Sequence, residues 1–284
     1  MEFELDGDQR LLRRTVREAV AKVRGRPGSE QWDTYLRLGW LEAPPLELAI
    51  ILEELGYAAD PTPFLASATW FAPLAGRLPR GSGTAVFDGE GRYVLDADRA
   101  DEVALLTAEG ITVVPGSDLP AERTPVLDPR LHVARAAVDG LVAGVPDLAL
   151  VGLAATAVGA CRRVLDLTLG HVAQRVQFGR PLGSFQAVKH KAADMHVAVE
   201  RARALTHFAA LAIAEDDPRR ARAAHMAKAA AGECQRTVFQ HGLQLFGAMG
   251  FTWENELQFH LKRAQACDLL LGNASTHRKA ILVA

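Results

Sequence analysis

From residue 145 onward, apolar residues return at steps of three and four, and this commits that half of the chain to helices packed side by side. Val158, Cys161, Leu165, Leu169, Val172 and Val176 mark one stripe, and Val188, Ala192, Met195, Val199 and Ala202 mark the next. Asp217-Pro218 reads as an N-cap followed by proline at the first helical position, opening a third helix towards Phe246. "GAMGFTWEN" interrupts it, and a fourth helix follows through Leu271. Long antiparallel helices joined by short breaks make a bundle.

The text before the bundle has two characters. Up to about Arg77 it reads helical: Leu12, Val16, Val20 and Val23 form an amphipathic stripe, "LELAIILEELGYAAD" is a buried helix, and Pro61 and Pro63 mark the entry of a third. From Gly81 to about Gly140, short runs ("TAVFD", "RYVLD", "EVALLT", "ITVVPG") alternate with Gly, Asp and Pro, which predicts small antiparallel strands and turns. The expectation is a mainly α chain with a small β insertion. It divides into an N-terminal helical domain (1–80), a reduced β middle domain (81–140) and a C-terminal four-helix bundle (141–284). Neither GxGxxG nor GxxxxGK occurs in the β region, so nothing supports a Rossmann or P-loop nucleotide site.

Bulk chemistry narrows the function classes. The 284 residues are 49% hydrophobic and 23% charged with net charge −2, a balance that gives no electrostatic reason to bind nucleic acid. Arg219-Arg220-Ala221-Arg222 reads as a solvated helix face. No run approaches the roughly 20 uninterrupted apolar residues of a membrane span, and "MEFELDGDQRLLRR" has no signal-peptide pattern. Cys161, Cys234 and Cys267 lack metal-ligand spacing, so no metal is expected; they read as buried thiols of a reducing compartment, which predicts a cytoplasmic location.

One stretch stands apart. "QRVQFGRPLGSFQAVKHKAADM" gathers Arg175, Gln177, Phe178, Gln186, Lys189 and Lys191 around a Gly-Arg-Pro break. Such groups at a helix end often only cap carbonyls and face water. Together with "QLFGAMGFTWENE", however, the stretch resembles two signature segments of the acyl-CoA dehydrogenase family, most strongly over Gly152–Met195 and Gln244–Arg278. The resemblance implies an FAD-dependent flavoprotein acting on acyl-CoA. It assigns Arg175, Gln177, Phe178, Gln186, Gln244 and Gly247 to cofactor binding, some of them reaching the FAD of a neighbouring subunit. A guanidinium suits a pyrophosphate because its planar fork of donors matches anionic oxygens.

The catalytic position is where this sequence departs from the family. The family removes the α-proton of a thioester with a glutamate, usually just before a Gly-Thr near the C-terminus, while flavin accepts the β-hydride. Aligned on "LLLGNASTHRKAI", that position is Leu271, followed by Gly272 and Asn273. A minority of members carry the glutamate early in the first bundle helix, which falls here at Ala149. Neither side chain takes a proton. Asp147 and Glu254 are the remaining carboxylate candidates, and Lys262-Arg263 stands where the family has Arg-Asp. Retained FAD contacts without a base are expected of one subunit in a mixed assembly, and short actinobacterial members resembling this chain work as α2β2 tetramers on sterol-derived CoA thioesters. The preferred expectation is therefore a base-less component with a paralogous partner. The alternatives are a homo-oligomeric dimer or tetramer with an atypical base, and a flavin-free scaffold.

Overall fold

A computed structural model of the chain describes residues 5–88 and 93–283. Arg92 of the "RYVLD" run and the first four residues lie outside the described residues.

Helix α1 (Gly7–Val23) starts at a reciprocal cap: the Asp6 carboxylate accepts from the Gln9 N–H at 2.8 Å, and the Gln9 amide oxygen accepts from the Asp6 N–H at 3.1 Å. Its stripe of Val16, Val20 and Val23 is buried. After α2 (Gly28–Arg37), α3 (Pro45–Ala58) is buried almost all round. It lies against α6 (Asp147–Gln174) at a distance only glycine permits. A Cβ on Gly56 would sit 2.2 Å from the Thr156 carbonyl oxygen, and one on Gly159 would sit 1.9 Å from that of Glu53. The carboxylates of Glu53 and Glu54 are buried at this contact and paired with Arg13, Arg17, Arg162 and Arg203, which ties α1, α3, α6 and the later helix that carries Arg203 together. Short helix α4 (Phe64–Ala66) passes through a π-helical turn, Ser67–Phe71, into α5 (Ala72–Ala75).

The middle region forms two three-stranded sheets. The first has the order β1-β3-β4, from Gly83–Val86, Glu102–Thr107 and Gly110–Pro115. The second has the order β2-β6-β5, from Tyr93–Leu95, Val133–Ala136 and Ala121–Arg123. The expected strands are present, but β1 and β3 pair in parallel, in the register Gly83↔Glu102 to Val86↔Leu105, where small antiparallel strands were expected. The β2 segment crosses to the second sheet between them, so the two meet running the same way.

Four helices then run up and down: α6, α7 (Gln186–Ala214), α8 (Arg220–Phe246) and α9 (Leu257–Leu269), followed by short α10 (Ala274–Ala280). The third bundle helix begins later than its Asp-Pro signal suggests. The Asp217 carboxylate accepts from the Arg219 N–H at 2.8 Å, closing a turn, and the helix starts at Arg220. By length and composition α6 could cross a membrane, yet 83% of its most apolar window is packed inside the protein. Leu153 is wholly buried there, and truncating such a side chain costs about 2–5 kcal/mol.

Candidate functional site

At one end of the bundle α9 stops, and the chain turns into α10 through two residues of positive φ, Leu271 (59°) and Gly272 (96°). Glycine tolerates this backbone and leucine does not, so the turn has to be held. Lys228, buried in α8, donates its Nζ hydrogens to the carbonyl of Asp268 at 2.8 Å and to that of Gly272 at 2.7 Å. The Asp268 carboxylate accepts from the Ala274 N–H at 3.0 Å, and the Asn273 side chain caps α10. His277 reaches the Leu271 carbonyl through Nε2 at 3.0 Å. That bond makes Nε2 the donor, so in the neutral ring Nδ1 accepts from His225 Nδ1–H at 2.8 Å. Burial pushes Lys228 down to about 8, partly opposed by Asp268, and it pushes His277 down to about 4.

The turn forms one wall of a cavity of about 490 Å³. Trp70, on the π-helical turn, and Phe87 supply an aromatic wall, with ring centroids 5.6 Å apart. Thr124, Pro125, Val126 and Leu127 come from the loop before β6, and Gln265, Ala266, Leu269, Leu270, Leu271, Gly272 and Thr276 from the α9–α10 segment. Arg263, fully buried, ion-pairs with Asp128 and donates to the Asp60 carbonyl at 2.8 Å, so the loop that forms this wall is clamped to α9. Among the described residues, no carboxylate, lysine, arginine or histidine lines the cavity.

Neither carboxylate candidate is brought to it. Asp147 lies in the first turn of α6 and faces Arg220 at 3.5 Å. Burial raises its pKa, with Arg220 and His225 opposing. Glu254 is exposed in the segment between α8 and α9, at the opposite end of the bundle. Ala149 is wholly buried.

The other sequence-predicted residues gather at that opposite end. Arg175 caps α6, with its N–H bonded to the His171 carbonyl at 2.9 Å and its carbonyl accepting from the Leu182 N–H at 2.8 Å. Its guanidinium is exposed and has neither a hydrogen bond nor an ion pair among the described residues. A two-residue hairpin follows, β7 (Val176–Gln177) and β8 (Arg180–Pro181), with Phe178 (φ 55°) and Gly179 (φ 79°) at its tip. The Phe178 ring is 88% exposed, held outward on a backbone that aromatics rarely adopt. Among the described residues the Gln177 side chain bonds only its neighbour's carbonyl, and Gln186 meets His190 at 3.1 Å. The second motif joins them: Gln244 accepts from Lys191 Nζ at 2.8 Å, and Phe246 stacks on His171 with centroids 4.4 Å apart. Gly247 adopts φ 61°, ψ −143°, a conformation open essentially to glycine alone, and beside it lies open space. An unpaired guanidinium, nearby cations and bare backbone suit a diphosphate. The two ends are far apart. Lys228 and Gln244 are sixteen residues apart on α8, roughly 24 Å at 1.5 Å per residue.

Sequence reasoning missed the residues that hold the turn. A cation inside the alanine-rich run "HMAKAAAGEC" was the available signal for Lys228. Gln265, Trp70 and the His225–His277 pair carried none.

Comparison with known proteins follows the same outline. The acyl-CoA dehydrogenase C-terminal domain matches residues 150–283. The chain is 36% identical over 244 residues to acyl-CoA dehydrogenase IpdE2 of Mycolicibacterium smegmatis, covering 80% of this chain and 74% of that one. In structure it is similar to a chain of the ChsE4–ChsE5 complex from Mycobacterium tuberculosis, with TM-score 0.85, 20% identity, and 100% and 98% of the two chains covered. It is also similar to the Tcur3481–Tcur3483 steroid ACAD, with TM-score 0.81, 21% identity, and 97% of each chain covered.

Proposed function

This chain belongs to the acyl-CoA dehydrogenase family, and from that premise we propose that it is the base-less subunit of a mixed assembly with a paralogous acyl-CoA dehydrogenase. The assembly desaturates an acyl-CoA thioester between its α and β carbons. The observation that carries the reading is Leu271: the cavity at the family's catalytic position has a hydrocarbon side chain where a proton must be taken, and no described lining residue replaces it.

FAD, when bound, supplies the acceptor for the β-hydride. In this reading Arg175 and the Gly247 backbone would hold the diphosphate of an FAD shared with the partner subunit. The roughly 24 Å between the two ends of the bundle supports an assignment across a subunit boundary, as does the outward Phe178 ring, which is suited to enter a neighbour. Gln177, Gln186 and Gln244 complete the polar surface around the cofactor, and Lys191 orients Gln244. The catalytic carboxylate comes from the partner. Two relatives in structure support the pairing and a sterol-derived substrate, since one is a complex of two named chains and the other a steroid ACAD.

Dye reduction with acyl-CoA tests the proposal. The lone chain is expected to give none, the co-purified pair is expected to turn over, and Arg175→Ala is expected to weaken FAD retention in the pair. Turnover by the lone chain would overturn it.

A further inference from the structure

A second cavity, of about 310 Å³, opens away from the Leu271 turn, where the ends of α1 and α3 meet the loop before β6. Val20, Ala58 and Pro61 give it an apolar wall, and Arg24 and Arg130 line it with two cations. Cations beside helix C-termini commonly serve the last carbonyls. Among the described residues neither of these guanidiniums does. That of Arg24 ion-pairs with Glu256 at 3.1 Å, and that of Arg130 has neither a hydrogen bond nor an ion pair.

Arg130 is nevertheless held in place. Its guanidinium lies over the Phe259 ring of α9, 3.9 Å from the centroid, and its backbone N–H donates to the Asp128 carboxylate at 3.0 Å. The neighbouring carboxylates are engaged elsewhere. Asp128 pairs with Arg263, and Glu256 is shared between Arg24 and Arg163. Asp60, which also lines the cavity, turns its carboxylate to the Tyr35 hydroxyl at 2.8 Å and the Thr62 N–H at 2.9 Å. Four guanidiniums therefore stand among three carboxylates. His260, wholly buried on α9, feels the excess: burial pushes it down to about 3, Arg163, Arg130 and Arg24 push the same way, and Glu256 opposes. One excess positive charge in a partly desolvated place favours a monoanion. A planar guanidinium fork matches a planar carboxylate, and the apolar wall suits a hydrocarbon body.

We infer that this cavity is a binding site for a small organic carboxylate, whose oxygens accept from the Arg130 guanidinium while its apolar body lies against Val20, Ala58 and Pro61. No bond is made or broken; the anion is held.

Calorimetric titration of the full chain, flavin-free and without a partner, tests this with benzoate and with its neutral isostere benzamide. Benzoate is expected to bind saturably at one site, and benzamide at least about tenfold more weakly. Arg130→Ala and the bulkier Arg130→Gln should each weaken benzoate by a similar factor, and thermal melting identifies a variant that remains folded. Phenylglyoxal modification read by mass spectrometry gives the same test without a substitution, since bound benzoate should protect Arg130. Absence of benzoate binding, equal binding of benzamide, benzoate binding kept by a folded Arg130 variant, or protection at Arg175 instead of Arg130 overturns the inference. Because neither partner nor flavin is present, either result leaves the paired-subunit proposal to its own assay.

Discussion

At the Leu271 end of the bundle the polar groups are buried, paired and directed at one turn; at the Arg175 end they stand exposed and largely unpaired. Lys228 has two carbonyl partners within 2.8 Å, whereas the Arg175 guanidinium has none among the described residues. Both ends adopt positive φ at a large residue, Leu271 in one and Phe178 in the other, but the turn at Leu271 is tied down by side chains of α8, α9 and α10: Lys228, Asp268 and His277. The contrast separates two uses of polarity. Buried hydrogen bonds fix a shape that local propensity resists, while exposed donors on a rigid helix end remain available to something outside the chain.

Breaking the buried side has the largest expected effect. Lys228→Met leaves the carbonyls of Asp268 and Gly272 without their donor, and urea unfolding should register a loss of about 2–5 kcal/mol. The next largest effect is in the pH dependence. His277 is held neutral by burial, with its pKa lowered to about 4, while the unfolded chain protonates near the ordinary value of 6.5. Stability is therefore full above about pH 6.5 and falls as pH drops towards 4, by on the order of 3 kcal/mol from this group. Urea midpoints measured across that window should show a smaller decline in His277→Gln than in the wild type.

On the exposed side the effects should leave the fold alone. Arg175→Ala should change lone-chain stability by less than about 0.5 kcal/mol. In the paired assembly it should weaken FAD binding about 10–100-fold, the worth of a charged hydrogen bond. Phe178→Asn sharpens the contrast with the smallest change. Asparagine tolerates the left-handed backbone, so lone-chain stability should rise by less than about 1 kcal/mol, read from the thermal midpoint. The same substitution should weaken partner capture, read by sedimentation.

Much of this architecture was legible in the spacing of apolar residues, because a helix that buries one stripe must repeat it every three or four positions. Val16, Val20 and Val23, and Met195 and Val199, are buried as that rule requires. Strand order was not legible. Short runs such as "TAVFD" and "EVALLT" specify extended backbone but not which neighbour they pair with, and the parallel β1–β3 pairing depends on where β2 is taken up. Strands β5 and β6 were unread because Glu122-Arg123 and the Asp-Pro-Arg that precedes β6 blur the alternation. At the candidate site, that a leucine, Leu271, stands where the resemblance expects a base could be read by position alone. The Lys228, Asp268 and His277 contacts could not, since they join residues 40 or more apart or depend on a turn that exists only once the bundle has closed.

The most direct measurement is the visible flavin absorbance of the purified chain, alone and after co-expression with a paralogous acyl-CoA dehydrogenase subunit. Colour in the co-purified pair and none in the lone chain is the predicted result. A lone chain that retains stoichiometric flavin would contradict a site shared between two subunits.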